Sequence, residues 1–332
     1  MPLQIVVSNA IGAFQGLVGG GPGPGPGPGP LPSGFAAGYS VRKLSSSYSG
    51  SALRVRRTVA PFDEQDIGFD SNGDLDTAAI TTFGGSDSLT VSRWYDQSGN
   101  LFDVTQGTAT AQPTIFDGTA VITVNGKPAV SFDGNDKLLY TGITNTDLVT
   151  ADGHASSVVF KDTSTSGFKG VIGTDDRAID FVTRLGNTDW QYSITTNNTP
   201  ELQYTASASN YNVQNLSFVN KGAVNAYWRL NASQIASNLG GGVVTPGTTN
   251  WEVGESVGLK YQGLLQEVVV WNTDNDSNAA GIESNINTYY SIYPTSGLLY
   301  DYPGAAAAYS VRSLSNNAIK CMRVLRTVAP FD

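Results

Sequence analysis

Three oxygen-bearing side chains alternate in the segment 70–76, which has the sequence DSNGDLD. Asp70, Asn72 and Asp74 have the spacing with which a calcium loop presents its ligands, although the glutamate that completes an EF-hand loop is missing. The alternative is a glycine turn that leads to Asp76 as the N-cap of a short helix. We favour the turn. Calcium at these residues is the one cofactor candidate, and no other cofactor is expected.

The single histidine and the single cysteine limit the chemistry of the chain. His154 would have to serve any Ser-His-Asp triad or histidine-rich metal site, but no nucleophile motif accompanies it. We therefore interpret His154 as a loop histidine. Cys321 excludes an internal disulfide framework and is interpreted as a small buried hydrophobic residue. A chain without disulfides fits assembly in bacterial cytoplasm.

The segment 94–100, with the sequence WYDQSGN, could present an aromatic and polar edge to a sugar. The alternative is structural. Trp94 and Tyr95 would then divide between the core and the surface, while Asp96 and Gln97 would bond nearby backbone. We favour the structural interpretation.

Three arginines, Arg54, Arg56 and Arg57, lie close together on a predicted strand. Because the chain is acidic overall, a structural ion pair with Glu64 or Asp66 is favoured over phosphate binding.

The composition favours a folded, strand-rich protein without affinity for polyanions. Only 14% of the 332 residues are charged, whereas about 25% is usual. The 38 glycines suit tight turns, and the 40% hydrophobic fraction is enough for a core. The net charge of −9 argues against partners that need basic surfaces, namely nucleic acid and anionic membranes. It suits a neutral partner such as glycan.

Short apolar stretches broken by Gly, Asn and Asp predict many strands and few helices. The predicted strands are 53–59, 120–124, 129–132, 156–160, 190–194, 216–219, 226–230 and 264–271. One short helix is expected over 77–83. A second is expected after Asp276 or Ser277 as N-cap, with Ile282, Ile286, Tyr289 and Tyr290 on one face. The sequence DGND at 133–136 is interpreted first as a hairpin turn and only second as a ligand site. The pattern indicates an all-β sandwich or jelly roll with one or two short helices.

The first 34 residues indicate an attachment device. Residues 19–34 include alternating Gly and Pro, which cannot form a helix or a central strand and predict a stiff, extended spacer. Residues 1–18 are mildly apolar, lack the positively charged start of a signal peptide and are too short to span a membrane. We expect them to bind another protein of a larger particle. The anchoring residues are predicted to be Ile5, Val6, Val7, Ile11, Phe14 and Leu17.

The beginning of the sandwich is repeated at the end of the chain. The motif at 37–45 returns at 307–315, and RTVAPFD at 57–63 returns unchanged at 326–332. We therefore expect the sandwich to occupy 35–300, and 301–332 to begin a second, incomplete repeat. The chain is either a fragment of a tandem protein, which we favour, or it donates its last segment as a strand to a neighbouring subunit.

Several segments resemble a known family. They are 37–57, 64–69, 94–100, 124–134 and 263–272. They resemble the arabinofuranosidase B catalytic domain and, more closely, the laminin-G or concanavalin A-like modules of tailed-bacteriophage appendage proteins. The resemblance implies a concanavalin A-like, laminin-G-like jelly-roll sandwich.

The resemblance also allows a test for catalysis. Retaining glycosidases need two carboxyl groups about 5–5.5 Å apart. By resemblance, the nucleophile would open the strand at 154–160, where this chain has Ala or Ser. The acid would lie in the loop 251–256, where Glu252 or Glu255 could sit nearby. One carboxylate without its partner cannot perform this chemistry, so no enzymatic activity and no catalytic residue are expected.

The leading expectation is therefore a structural virion appendage, either a tail fibre or a head decoration. It would be assembled in bacterial cytoplasm and would display a glycan-binding type of sandwich on the particle surface. Residues 1–18 would bind other virion proteins, many copies would attach weakly to host-surface glycan at unassigned residues, and the chain would be a homo-oligomer. The alternatives are a secreted arabinofuranosidase-like glycoside hydrolase and a bacterial surface adhesin.

Overall fold

A computed structural model of the chain describes residues 31–150, 153–185, 189–194, 202–223, 225–238 and 247–294, the side chains of residues 185 and 189 excepted. The chain divides into two units after Tyr293, and the first unit is described below. The predicted anchor at 1–18, the Gly-Pro run, the second repeat and Cys321 lie outside the described residues.

Strands are the main regular elements of the described chain. They are β1 (Ala37–Ser40), β2 (Leu53–Arg57), β3 (Glu64–Ile67), β4 (Leu89–Trp94), β5 (Val104–Thr105), β6 (Thr114–Phe116), β7 (Thr123–Val124), β8 (Lys127–Pro128), β9 (Val130–Asp133), β10 (Leu138–Thr144), β11 (His154–Asp162), β12 (Gly167–Thr174), β13 (Asp180–Leu185), β14 (Asp189–Ser193), β15 (Leu202–Thr205), β16 (Asn215–Lys221), β17 (Ala226–Leu230), β18 (Ser233–Asn238), β19 (Thr248–Val253), β20 (Glu255–Ser256), β21 (Leu259–Lys260) and β22 (Gln262–Trp271).

The predicted strand over 120–124 is shorter than expected. Only Thr123 and Val124 are extended, and they pair with β8 across Asn125 and Gly126. Both turn residues have positive φ, as a two-residue hairpin turn requires. Residues 120–122 are not part of this strand, and Val121 forms an isolated bridge with Phe116 instead.

Helices are few, as expected. They are α1 (Thr77–Gly84), α2 (Asn145–Leu148) and α3 (Ala279–Tyr290), with 3-10 turns at Ala109–Ala111, Ala208–Asn210 and Asp276–Asn278. The α1 prediction is confirmed, and Asp76 caps the helix by accepting from Ala79 N at 2.9 Å. No helix within the described residues is long and apolar enough to cross a membrane.

The predicted N-cap of α3 is wrong. Asp276 and Ser277 form a 3-10 turn, and Asn278 is the N-cap without a side-chain hydrogen bond. The carboxylate of Asp276 instead accepts from Tyr227 Oη at 2.8 Å, so it is not free to cap the helix. Three of the four predicted inward residues, Ile282, Ile286 and Tyr290, are fully buried.

The main strands form one large antiparallel sheet whose two parts face each other. We call them layer 1, which runs β18-β17-β16-β11-β22 and continues into β1 and β9, and layer 2, which runs β3-β2-β4-β5-β10-β19-β12-β13-β14-β15. Strand β6 pairs with both β4 and β9 and so joins the layers. The all-β prediction is confirmed at this level.

Large aromatic side chains fill the space between the layers. Tyr39 of layer 1 meets Trp94 of layer 2 edge to face at 6.3 Å, and Phe160 meets Phe181 at 5.3 Å. All five tryptophans are at most 1% exposed. Since each strand alternates its side chains between two faces, burying these residues turns the alternate residues of layer 2 outward.

Candidate active site

A continuous row of outward-facing residues crosses layer 2. Residues directly opposite each other on antiparallel strands share a face, so the register defines the row. In order it contains Asp66, Arg54, Arg93, Thr105, Leu139, Glu252, Gly173, Asp180 and Ser193. The neighbouring row on one side, which includes Trp94, Val104 and Trp251, points into the core. The row brings together groups that are up to 198 residues apart in the chain.

A lysine binds two buried glutamates in the middle of this row. Lys137 Nζ lies 2.7 Å from Glu255 Oε2 and 3.4 Å from Glu252 Oε1. Those two oxygens can therefore be no further apart than the sum of the two distances. The glutamates are only 4% and 5% exposed, whereas the lysine side chain is 25% exposed. We call these three residues the Lys137 triad.

The electrostatics of the triad distinguish its two carboxyl groups. Burial, and then the negative charge of Glu255, raise the pKa of Glu252, while Lys137 acts in the opposite direction. Glu252 Oε2 is buried and has no hydrogen-bond partner among the described residues. Glu255 makes the shorter contact with the ammonium group. The triad thus places a carboxyl group that holds its proton more tightly beside a second carboxyl group that contacts the cation.

A small hairpin places Glu255 next to Glu252. Strands β20 and β21 pair around Val257 and Gly258, which both have positive φ. The hairpin lies directly on β12, since a Cβ on Gly170 would be 2.3 Å from Ser256 N and one on Gly173 would be 2.1 Å from Ser256 Oγ. Ser256 Oγ donates to Asp180 Oδ1 at 2.6 Å. Only glycines at these two positions of β12 leave room for the hairpin.

The loop before β10 positions Lys137. Asp133 N donates to Asp136 Oδ2 at 2.9 Å, and Asn135 N donates to Asp133 Oδ1 at 2.7 Å, so the predicted turn at 133–136 is present. It does not form a hairpin, because β9 pairs with β22 whereas β10 pairs with β19. Burial raises the pKa of Asp136 to about 7. The turn carries the chain from one layer to the other and ends at the triad.

The expectation that the chain lacks a carboxylate pair is wrong. Glu252 and Glu255 were both candidates for one half of a pair, and the structure makes each the partner of the other. Lys137 was missed. The sequence offered one signal for the pair, namely that Glu252 and Glu255 lie on either side of Gly254. A glycine with positive φ can fold the end of a strand back on itself and so bring two such residues together.

An open cavity of about 340 Å³ lies on the same face, next to the triad. Its lining residues come from β4, β5, β10 and the loop before β5, and they are Arg93, Leu101, Asp103, Thr105, Leu139, Tyr140 and Thr141. Leu139 lies opposite Glu252 in the register. The cavity and the triad are therefore neighbours on one surface.

The predicted calcium loop is held as a turn. Asp70 Oδ1 accepts from the backbone N–H groups of Asn72 and Asp74 at 2.8 and 3.0 Å. Asp74 pairs with Lys127 at 3.2 Å. The loop therefore has the hydrogen bonds of the glycine turn that the sequence favours over a calcium loop. Within the described ranges, no cluster of three or more His, Cys, Asp or Glu residues could hold a metal ion.

The interpretation of His154 as a loop residue is wrong. It begins β11 and is fully buried, with Nδ1 3.0 Å from Leu148 O and Nε2 3.3 Å from Tyr192 Oη. Burial lowers the pKa of His154 to about 4. Sequence reasoning missed this role because the burial depends on packing between β11 and β14.

Two structural interpretations are confirmed. Asp96 accepts from the backbone N–H groups of Gly38 and Ser98, both at 2.9 Å. Arg54 forms a two-pronged ion pair with Asp66 at 2.7 and 2.9 Å. These residues stabilise loops and strand pairs and are not free to bind a ligand.

Solved structures with the same fold include arabinofuranosidases. One is an arabinofuranosidase complexed with arabinofuranosyl-α-1,2-xylobiose, with a TM-score of 0.57, 17% identity and coverage of 78% of this chain and 63% of that chain. Another is a GH54 α-L-arabinofuranosidase soaked with a cyclic sulfate inhibitor, with a TM-score of 0.56 and the same identity and coverage. This chain therefore spans 63% of the length of these neighbours. The sequence matches no protein-family model and no curated protein.

The likeness establishes the fold, and it corrects two expectations. The prediction of a structural virion appendage is contradicted, because the two solved structures reported above, which share the fold, are glycoside hydrolases. The prediction of a chain without enzymatic function is contradicted by the same neighbours, and its premise of a lone carboxylate does not hold, because Glu252 and Glu255 both contact Lys137. The resemblance to arabinofuranosidases is confirmed at the level of the fold.

Proposed function

We propose that this protein is a glycoside hydrolase of the arabinofuranosidase type and that Glu252 and Glu255 are its catalytic carboxyl groups. The observation that carries the proposal is the contact of both glutamates with the single ammonium group of Lys137. Glycosidases need two carboxyl groups that lie about 5–10 Å apart, with their pKa values separated by their surroundings. The Lys137 triad holds the two carboxyl groups close together, and burial raises the pKa of Glu252.

The two glutamates have different roles in this proposal. Glu252, whose pKa burial raises, is the general acid that protonates the leaving-group oxygen. Glu255, which contacts the ammonium group of Lys137, is the carboxylate that attacks the anomeric carbon or activates water. Net hydrolysis adds water across the glycosidic bond, and the proton that Glu252 donates is regained from that water.

The finer description of the fold belongs to the same proposal. The two facing layers support a concanavalin A-like, laminin-G-like jelly-roll sandwich, in which layer 2 presents the site on its outer face. Carbohydrate is also the partner chemistry that the sequence predicted. Anchoring through residues 1–18, oligomerisation and location in a virus particle stay predictions.

The test is hydrolysis of a panel of aryl glycosides that includes 4-nitrophenyl α-L-arabinofuranoside. We expect the wild-type chain to release nitrophenol and the E252Q and E255Q variants to lose about 10²–10⁴ in kcat/KM. E64Q is the matched control, since Glu64 is an exposed glutamate on the edge strand β3, and it should behave as wild type. An inactive wild-type chain, or equal rates in all four proteins, would refute the proposal.

A second measurement tests the assigned roles. Because the pKa of Glu252 is raised, kcat/KM should decline as the pH rises through that pKa and the acid loses its proton. In E252Q this alkaline decline should disappear for a substrate with a good leaving group, which needs no protonation. If the decline persisted unchanged in E252Q, Glu252 would not be the acid.

A further inference from the structure

We infer that the cavity beside the triad is a subsite for a neutral sugar residue, so that the substrate is an oligosaccharide lying across the strands of layer 2. This inference rests on the proposed function only for the position of the cleaved bond, at Glu252. The cavity is lined by Arg93, Asp103, Leu101 and four neighbouring residues and has a volume of about 340 Å³. That volume lies within the range of small-molecule sites.

The register gives the direction of the bound chain. Thr105 lies opposite Leu139, and Leu139 lies opposite Glu252, so the cavity is one to two strands away from the triad. Neighbouring strands lie about 4.8 Å apart, which puts Glu252 roughly 10 Å from Thr105 and about 14 Å from Arg93. A ligand that reaches both places must extend over more than one ring. The row is perpendicular to the strands, and so is the inferred path of the oligosaccharide.

The charges of the cavity favour a neutral ligand. Arg93 and Asp103 are its only charged lining residues, and they face each other at 3.5 Å. This distance is long for a hydrogen bond between ions, and both side chains are partly exposed, at 37% and 22%. A guanidinium and a carboxylate that balance each other can donate to and accept from the hydroxyl groups of a sugar. An acidic sugar would also be repelled by the net charge of −9.

An apolar residue is held in an unfavourable position at this cavity. Leu101 is 74% exposed and has a φ of 63°, which is rare for a residue with a branched side chain. Its neighbours hold it there, since Asn100 Nδ2 donates to Ala36 O at 2.9 Å and Phe102 N donates to Asp96 Oδ2 at 3.1 Å. Backbone strain and an exposed leucine both cost stability, and such costs concentrate at binding sites. The C–H face of a sugar ring is a suitable partner for this side chain.

The test is binding of neutral oligosaccharides of two to five units to the full chain carrying E252Q, which prevents turnover. Isothermal titration should show affinity rising with chain length, and a second substitution, L101S or D103N, should weaken binding of the longer sugars at least tenfold. V213S is the control, because Val213 is an exposed apolar residue, 44% accessible, that does not line the cavity. Oligosaccharides that carry a uronic acid should bind more weakly than neutral ones of equal length.

The outcomes separate this inference from the proposed function. If L101S and D103N bind the oligosaccharides as V213S does, the subsite is refuted, even if aryl glycosides are hydrolysed. If the two variants lose binding but the wild-type chain hydrolyses nothing, the subsite stands and the catalytic proposal falls. With both correct, L101S raises KM for oligosaccharides while kinetics with the aryl monosaccharide stay unchanged. A stronger affinity for the acidic sugars would overturn the ligand class.

Discussion

Replacing Lys137 by Met tests the electrostatics of the site without reference to any substrate. Lys137 Nζ is the cation that contacts both Glu252 and Glu255, and the two carboxyl groups are nearly inaccessible to water. Methionine keeps most of the length of the side chain and removes its charge. In K137M the two glutamates face each other with no cation between them, so we expect the folded state to be destabilised.

The expected loss of stability in K137M follows from the burial of the ion pair that the substitution breaks. Removing one partner of a fully buried ion pair costs about 3–5 kcal/mol. Because the lysine is one-quarter exposed, we expect the low end of this range, about 3 kcal/mol at pH 8. For a domain of this size that loss corresponds to a fall in Tm of roughly 6–12 °C. Denaturant titration gives the free energy directly.

The way in which the destabilisation by K137M changes with pH is the most specific test of this electrostatic account. The pKa of Glu252 is already raised in the folded state, and loss of Lys137 raises it further. A carboxyl group with a raised folded pKa stabilises the fold below its unfolded pKa, and this contribution disappears as the pH rises through the folded value. The cost of K137M should therefore be largest at pH 8 and should shrink towards pH 4.5, where Glu252, with its raised pKa, is protonated.

The matched control is K161M. Lys161 is also half-buried on a strand, but it forms no ion pair among the residues that the structure describes. Its replacement should change stability by less than about 1 kcal/mol with no pH dependence of this kind. A K137M protein as stable as wild type at pH 8, or equally destabilised at both pH values, would refute the electrostatic account of the triad.

Two further predictions concern the packing around the site. G173A should destabilise the fold by about 1–3 kcal/mol and lower hydrolysis, because the added Cβ would be 2.1 Å from Ser256 Oγ and would displace the hairpin that carries Glu255. Denaturant titration should show that stability is restored in G173A/S256G. The control G68A should lose no stability, because nothing lies within 4 Å of a Cβ at Gly68. A G173A protein as stable as the wild type would contradict the close fit of the hairpin on β12. Because burial lowers the pKa of His154 to about 4, the wild type should lose about 3 kcal/mol as the pH falls from about 6.5 to 4, where the unfolded chain takes up the proton first. Between about pH 6.5 and 4, the slope of the free energy of unfolding against pH should be smaller in H154Q than in the wild type by the uptake of one proton. Equal slopes in the two proteins would show that His154 is not buried in its neutral form.

Local features of the fold could be predicted because their causes are local. The strand β11 extends over a run of apolar and small residues that the sequence shows directly, and Asp76 caps α1 from three residues away. Arg54 and Asp66 pair because they lie opposite each other on β2 and β3, strands joined by a short loop. In each case the interacting residues are close in sequence, and the period of the pattern identifies the element.

Features that depend on distant strands could not be predicted in the same way. His154 has no sequence signal that distinguishes a loop residue from one buried against Tyr192, because β11 and β14 meet only through packing of the layers. The turn at 133–136 has the composition of a hairpin, yet the strands on its two sides join different neighbours. Composition determines whether a chain turns, but the partners of each strand are determined by the whole sheet.

The sequence by itself determined the all-β class, the positions of most strands and turns and the candidacy of Glu252 and Glu255, since these depend on residue types and short-range periodicity. Only the tertiary structure decided that the two glutamates form a pair around Lys137, which precedes Glu252 by 115 residues. That pairing needs the β10–β19 register and a hairpin that fits against Gly170 and Gly173. A shift of one residue in that register would turn Glu252 towards the core, because side chains alternate between the faces of a strand.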